Sequence, residues 1–91
     1  MPEVYMQIEW PGATTDRVYS PSSVIRDFFR EGETLSVADF ETRVTDALER
    51  ASQRVREVYG TGCTSAQAEA QRIQKAVRPM DDNETVRILE V

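Results

Sequence analysis

The stretch LSVADFETRVTDALERASQRVREVYG, residues 35–60, constrains this chain more than any other. Val37, Phe40, Val44, Ala47, Leu48, Ala51, Val55 and Val58 recur there at intervals of three and four. That spacing draws one apolar stripe down a single α-helix. Ser36 fits the N-cap, where its hydroxyl accepts a first-turn N–H, Asp39 follows three residues on, and Leu35 is placed to staple onto Phe40. Gly60 fits the stop. The reading is a helix over about 37–59 whose stripe needs a surface to cover it, and the rest of the chain must supply that surface.

Strands come from both ends. Val4, Met6, Ile8 and Trp10 alternate with Tyr5, Gln7 and Glu9, the period of a half-buried strand. Pro11 presets the second position of a type II turn and Gly12 tolerates the positive φ of the third, so a hairpin returns over residues 15–19. Near the C-terminus, residues 84–91 alternate β-branched and polar side chains. Val86 and Ile88 point one way and Leu89 and Val91 partly populate the other. Such a strand is either central in its sheet or covered by a second chain.

Between these lie two further helical stretches. Ser20 or Ser22 caps a helix of about two turns whose apolar side is Val24, Ile25, Phe28 and Phe29. Residues 30–34, with Gly32 and three charges, read as a solvated loop. After Gly60 and Gly62 a further helix starts near Cys63 or Thr64, with Thr64 and Gln67 spaced as a capping box. Its stripe, Cys63, Ala66, Ala70, Ile73 and Val77, is mostly small, which permits close antiparallel packing on the long helix. Pro79 stops it, and Asp81, Asp82 and Asn83 make a polar turn. The expected fold is one α+β domain over residues 1–91, in the order ββαααβ. A small antiparallel or mixed three-stranded sheet carries the helices on one face.

Charge and size narrow the function. A chain of 91 residues hides roughly 60 to 65 percent of its unfolded surface, so the core is thin and self-association would help it. A net charge of -5 and a pI near 4.7 oppose nucleic acid and anionic membranes as partners. The N-terminal residues lack a basic segment followed by an apolar run, and no eighteen apolar residues occur together, so a cytoplasmic location is expected. The single cysteine cannot form an internal disulfide. Histidine is absent, which removes the commonest general base and the commonest transition-metal ligand. The expectation is a protein that is not an enzyme, with no cofactor, no metal and no catalytic residue.

Several groups could still carry chemistry. Cys63, at a helix start, would feel the positive end of the dipole and be a reactive thiol, or else a small buried residue. Ser20, Ser22 and Ser23 offer capping hydroxyls where an anion could bind, although no Gly-rich loop accompanies them. Asp81, Asp82, Asn83 and Glu84 supply oxygen ligands but lack the spacing of a calcium loop. Glu31 and Glu33 sit in a charged loop with no apolar pocket to raise a pKa. Arg43, Arg50 and Arg54 share one side of the long helix, interleaved with Asp39 and Asp46, whose i,i+4 pairs with Arg43 and Arg50 favour the helix. Arg72, Lys75 and Arg78 cluster at the end of the last helix, where they meet the C-terminal dipole. Tyr5, Trp10 and Tyr19 with Val86, Ile88, Leu89 and Val91 form a candidate interaction surface, Trp10 serving equally to roof the core.

The strand ending in Trp10-Pro11 and the run Tyr19-Ser20-Pro21-Ser22 to Val24-Ile25-Arg26-Asp27-Phe28-Phe29 carry a resemblance. So do Ala51-Ser52-Gln53-Arg54-Val55-Arg56, Tyr59-Gly60 and Cys63. These residues resemble the small bacterial nitrogen-starvation-response proteins over roughly residues 2–72, with Gly12 where that family carries an acidic residue. The resemblance implies a gene context beside nitrilase and radical-SAM enzymes and supplies no active-site residues. The expected function is non-enzymatic association in a nitrogen-starvation or nitrile-metabolism setting, as a homodimer or higher oligomer or with a metabolic enzyme. The alternative is a small-molecule or anion sensor at the helix start formed by Ser20, Ser22 and Ser23.

Overall fold

The computed structural model describes residues 3–61 and 64–91. Strands β1 (Val4–Glu9) and β2 (Thr15–Ser20) form the expected hairpin, with Tyr5 opposite Tyr19 and Gln7 opposite Arg17. The Ala13 N–H donates to the Trp10 carbonyl at 3.0 Å and Gly12 holds φ at +90°, which is the type II turn. Val4, Met6, Ile8 and Val18 are buried while Tyr5, Gln7 and Arg17 face outward. The sheet therefore has one covered face and one open face.

The sheet has four strands where three were expected, and two α-helices where three were expected. Its order is β2-β1-β4-β3, antiparallel throughout. The added strand, β3 (Thr34–Ser36), joins the last residue of the stretch that reads as a solvated loop to Leu35 and Ser36, which read as the staple and cap of the long helix. Ladder bonds begin before it: the Gly32 N–H donates to the Ile88 carbonyl at 2.7 Å, and the Ile88 N–H to the Glu33 carbonyl at 2.8 Å. Three residues present only Leu35 inward, too few to reveal an alternation.

The expected short helix is instead a 3-10 turn, Ser23–Asp27. Hydroxyls tighten its entry. Ser20 Oγ donates to the Ser22 carbonyl at 2.7 Å, and Ser22 Oγ accepts from the Val24 N–H at 3.3 Å. An i to i+3 bond from the Phe28 N–H to the Ile25 carbonyl closes it. Ile25 and Phe29 are delivered to the core, and the chain turns directly back to the sheet.

Helix α1 (Val37–Tyr59) keeps its expected bounds. Ser36 Oγ accepts from the Asp39 N–H at 3.1 Å, and Gly60, at φ +86°, donates its N–H to the Arg56 carbonyl at 2.8 Å. Two more first-turn donors are met by the turn before the last strand, Val37 N–H to the Glu84 carbonyl and Ala38 N–H to the Asp82 carbonyl. The acidic turn thus serves the helix start through its backbone. Val37, Phe40, Val44, Ala47, Leu48 and Ala51 are buried. Val55 is half-buried, and Val58 and Tyr59 are 55% and 63% exposed. The stripe loses its cover in the last turns.

Helix α2 (Thr64–Val77) buries Ala66, Ile73 and Val77. Strand β4 (Thr85–Glu90) runs between β1 and β3. Only one of its faces is covered: Val86 and Ile88 are buried, whereas Thr85, Arg87 and Glu90 are exposed. Register against β1 steps from Gln7 opposite Glu90 to Ile8 opposite Ile88, so Leu89 is the extra residue of a bulge. Beyond it Val91 packs on the core.

Candidate functional site

Among the described residues, three of the surface concavities bear on function. One, about 550 Å3, lies between β2 and α2 and is lined by Tyr5, Gln7, Asp16, Arg17, Tyr19, Glu69 and Arg72 among others. Its charges are occupied with one another. Arg72 donates through Nε to Glu69 Oε1 at 2.6 Å, through Nη1 to Asp16 Oδ2 at 2.9 Å, and through Nη2 to the Arg17 carbonyl at 2.7 Å. Asp16 also accepts from Trp10 Nε1 at 3.0 Å, and Glu69 from the Tyr19 N–H at 2.8 Å. Burial pushes both carboxyls up, but the Arg72 guanidinium and these N–H donors outweigh it and hold Asp16 and Glu69 below their ordinary values. Arg72 in turn is held more firmly protonated, first by Glu69. This hollow is a structural latch between α2 and the hairpin.

The second, about 300 Å3, is the cleft between the helices, with Leu48, Ser52, Ala66 and Ala70 at its floor and Glu49 and Arg56 on its rim. Small side chains were expected to close this contact. They leave part of it unfilled.

The third concavity, about 290 Å3, is lined by Ser22, Ser23, Val24, Asp27, Arg50 and Arg54. Two groups read separately from the sequence meet here: hydroxyls at the turn entry and arginines on one side of α1. Arg50 and Arg54 stand one helical turn apart, so both guanidinium groups reach the same region. Glu57, further along α1, lies 3.6 Å from Arg50 and 3.2 Å from Arg54. Among the described residues, Asp27 makes neither an ion pair nor a side-chain hydrogen bond. Sequence reasoning missed Asp27 as a lining residue, because its place follows from the 3-10 turn and from no motif.

The remaining sequence candidates disperse. Ser20 is fully buried and bonded within its own turn, away from this cavity. Cys63 lies outside the described residues. Arg43 leaves the expected Asp39 pair for Glu33, at 2.6 Å, and for the Phe28 carbonyl at 3.3 Å. Its guanidinium holds the Glu33 carboxyl below the ordinary range. Arg50, expected on Asp46, turns to Glu57 and Gln53. Trp10 roofs the core, edge-on to Phe40 with centroids 5.5 Å apart. Tyr5 and Tyr19 pair on the open sheet face at 5.6 Å, with Arg17 over Tyr5 at 5.1 Å. Of the strand residues proposed for an interaction surface, Val86 and Ile88 are fully buried in the core, whereas Leu89 and Val91 are half-buried. No group of three or more His, Cys, Asp or Glu that could hold a metal ion occurs among the described residues. No described helix is long and apolar enough to cross a membrane.

A four-stranded antiparallel sheet, covered on one face by two helices and bearing a cavity of arginines and hydroxyls beside the longer one, defines a small α+β protein. The chain belongs to the family of the nitrogen starvation-induced protein NitG, whose model matches residues 5–91. That match continues through β4, past residue 72, where the resemblance read from the sequence ends. No curated protein and no solved structure matches the chain.

Proposed function

We propose that this nitrogen starvation-induced protein acts by binding and not by catalysis, taking a small carboxylate- or phosphate-bearing molecule in the cavity beside Ser22 and Ser23. One observation carries the reading: the guanidinium groups of Arg50 and Arg54 line the same hollow as the two serines. Guanidinium presents paired N–H donors that match carboxylate and phosphate oxygens. The volume of the cavity, about 290 Å3, sits at the lower limit of small-molecule sites, roughly 300 Å3. Glu57 already occupies the arginines in the manner an incoming carboxylate would. These side chains are 43–54% exposed, and ion pairs so exposed are worth under about 1 kcal/mol. An external anion can therefore displace Glu57.

The test is a thermal-shift titration with inorganic phosphate and with small dicarboxylates at low salt. A ligand at 100 times its dissociation constant adds about 2.7 kcal/mol of stability. The midpoint should rise with concentration in the native protein and stay fixed in the Arg50→Ala/Arg54→Ala variant. An equal rise in both, or none in the native protein, removes the reading.

A second reading, self-association as a homodimer or docking on a metabolic enzyme, is favoured by Val58 and Tyr59 at the uncovered end of α1. Light scattering tests the first half. A mass of 10.4 kDa at high micromolar concentration would count against it.

A further inference from the structure

We propose that the cavity beside Ser22 and Ser23 is selective for a small acidic amino acid, with Asp27 receiving the ammonium group while Arg50 and Arg54 receive a carboxylate. This rests on the reading of that cavity as a binding site. Two guanidinium groups and the Asp27 carboxylate line the hollow, and Glu57 reaches the guanidinium groups from outside the lining. With Glu57 in place the charges cancel, and with Glu57 displaced one positive charge is left over. An acidic amino acid carries one net negative charge and matches that remainder. A bare dianion exceeds it and sets a second negative charge against Asp27.

The hydrogen-bonding inventory agrees. Ser22 Oγ already accepts from the Val24 N–H, so its own hydrogen is left to donate, and the Ser23 hydroxyl lies beside it on the lining. Hydroxyl and guanidinium donors suit carboxylate oxygens. Guanidinium cannot accept from an ammonium, which donates three N–H bonds and accepts none, and a serine oxygen accepts only as a neutral group, whereas a carboxylate meets the ammonium with opposite charge. Asp27 is the lining carboxylate, and it has no partner among the described residues. A ligand lacking an N–H donor leaves it unused and repelled. A ligand with the donor on the carbon next to its carboxylate can meet both ends of the site within a hollow of this size.

Calorimetric titration of the full chain with L-glutamate and with 2-oxoglutarate isolates the point, because the two share a carbon skeleton and differ in the amine. Glutamate should bind about twofold to fivefold tighter, the scale of one exposed charge pair. Asp27→Asn should erase that preference, Glu57→Gln should tighten both ligands, and Arg50→Ala/Arg54→Ala should abolish both. Circular dichroism checks that each variant folds. Equal or tighter binding of 2-oxoglutarate, or an unchanged preference in Asp27→Asn, overturns the role of Asp27 while leaving an anion site standing. Failure of both ligands to bind the native protein overturns this inference and, for dicarboxylates, the site itself.

Discussion

The Arg72 guanidinium meets the Asp16 carboxylate at 2.9 Å across 56 residues of chain, and this contact fastens α2 to the outer edge of β2. The same arginine donates to the Arg17 carbonyl, while its helix neighbour Glu69 accepts from the Tyr19 N–H. Alternate backbone groups of an edge strand are thus taken by side chains. An edge so blocked is a poor template for pairing with another chain.

Arg72→Ala should therefore cost about 1–2 kcal/mol, more than a lone surface pair, because two part-buried carboxylates and a strand carbonyl lose their donor together. Urea denaturation followed by the single tryptophan reads it directly. A change under about 0.3 kcal/mol would mean that the latch is ornamental. The variant should also aggregate more readily as the edge opens.

The latch also sets an acid limb. Burial raises the carboxyls of Asp16 and Glu69, but Arg72 and the N–H donors lower them further, so both end below their ordinary values. Glu33 is lowered as well, chiefly by Arg43. Across the window below the ordinary carboxylate pKa of about 4, the unfolded chain holds more protons than the folded one. The stabilisation is complete above that value and is lost as pH falls through the lowered folded values. The urea midpoint should fall between pH 6 and pH 3 in the native protein, and less steeply in Arg72→Ala. Equal slopes would place the acid sensitivity elsewhere.

Leu48 and Arg50 test the long helix from its two sides. Leu48 is 1% exposed, so Leu48→Ala should cost about 2–5 kcal/mol, the range for emptying a packed site. Its place on the floor of the interhelical cleft points to the lower half of that range. Arg50→Ala, on the solvent side, should stay within about 0.5 kcal/mol and so remain usable as a binding-site variant. Thermal and urea unfolding of the two variants decide this.

Local signals explain what the sequence discloses. α1 is legible because eight apolar residues repeat over 23 positions and both caps are present. The N-terminal hairpin is legible because its turn chemistry is specific. β3 is not, since its one inward residue, Leu35, is equally a helix staple, and its strand character comes from Val86, far along the chain. The turn after Ser22 shows its cap in the sequence, but its 3-10 form is imposed by the short return to β3. At the candidate site, Ser22 and Ser23 are readable as capping residues, and Arg50 and Arg54 as one side of a helix. Their meeting is tertiary, and so is the substitution of Glu33 for Asp39 beside Arg43. Exposed i,i+4 pairs are worth only a few tenths of a kcal/mol, and a loop carboxylate in better geometry displaces them.

The ends of α1 are held by independent devices, which gives a prediction about additivity. At the start, Ser36 serves the Asp39 N–H alone, because the Val37 and Ala38 donors go to the Glu84 and Asp82 carbonyls. Ser36→Ala should then cost about 1 kcal/mol, one cap's worth and no more. At the far end Gly60 holds φ at +86° with open space where a Cβ would stand. Gly60→Ala meets no clash there and should cost about 1 kcal/mol from backbone strain alone. The two sites are about 36 Å apart along the axis, beyond the range at which substitutions couple without shared partners. Their costs should add to within about 0.5 kcal/mol in the double variant, measured by urea unfolding at constant m-value. A double variant much less stable than the sum would show α1 fraying as one unit, with the end around Val58 and Tyr59 drawing its order from the capped start.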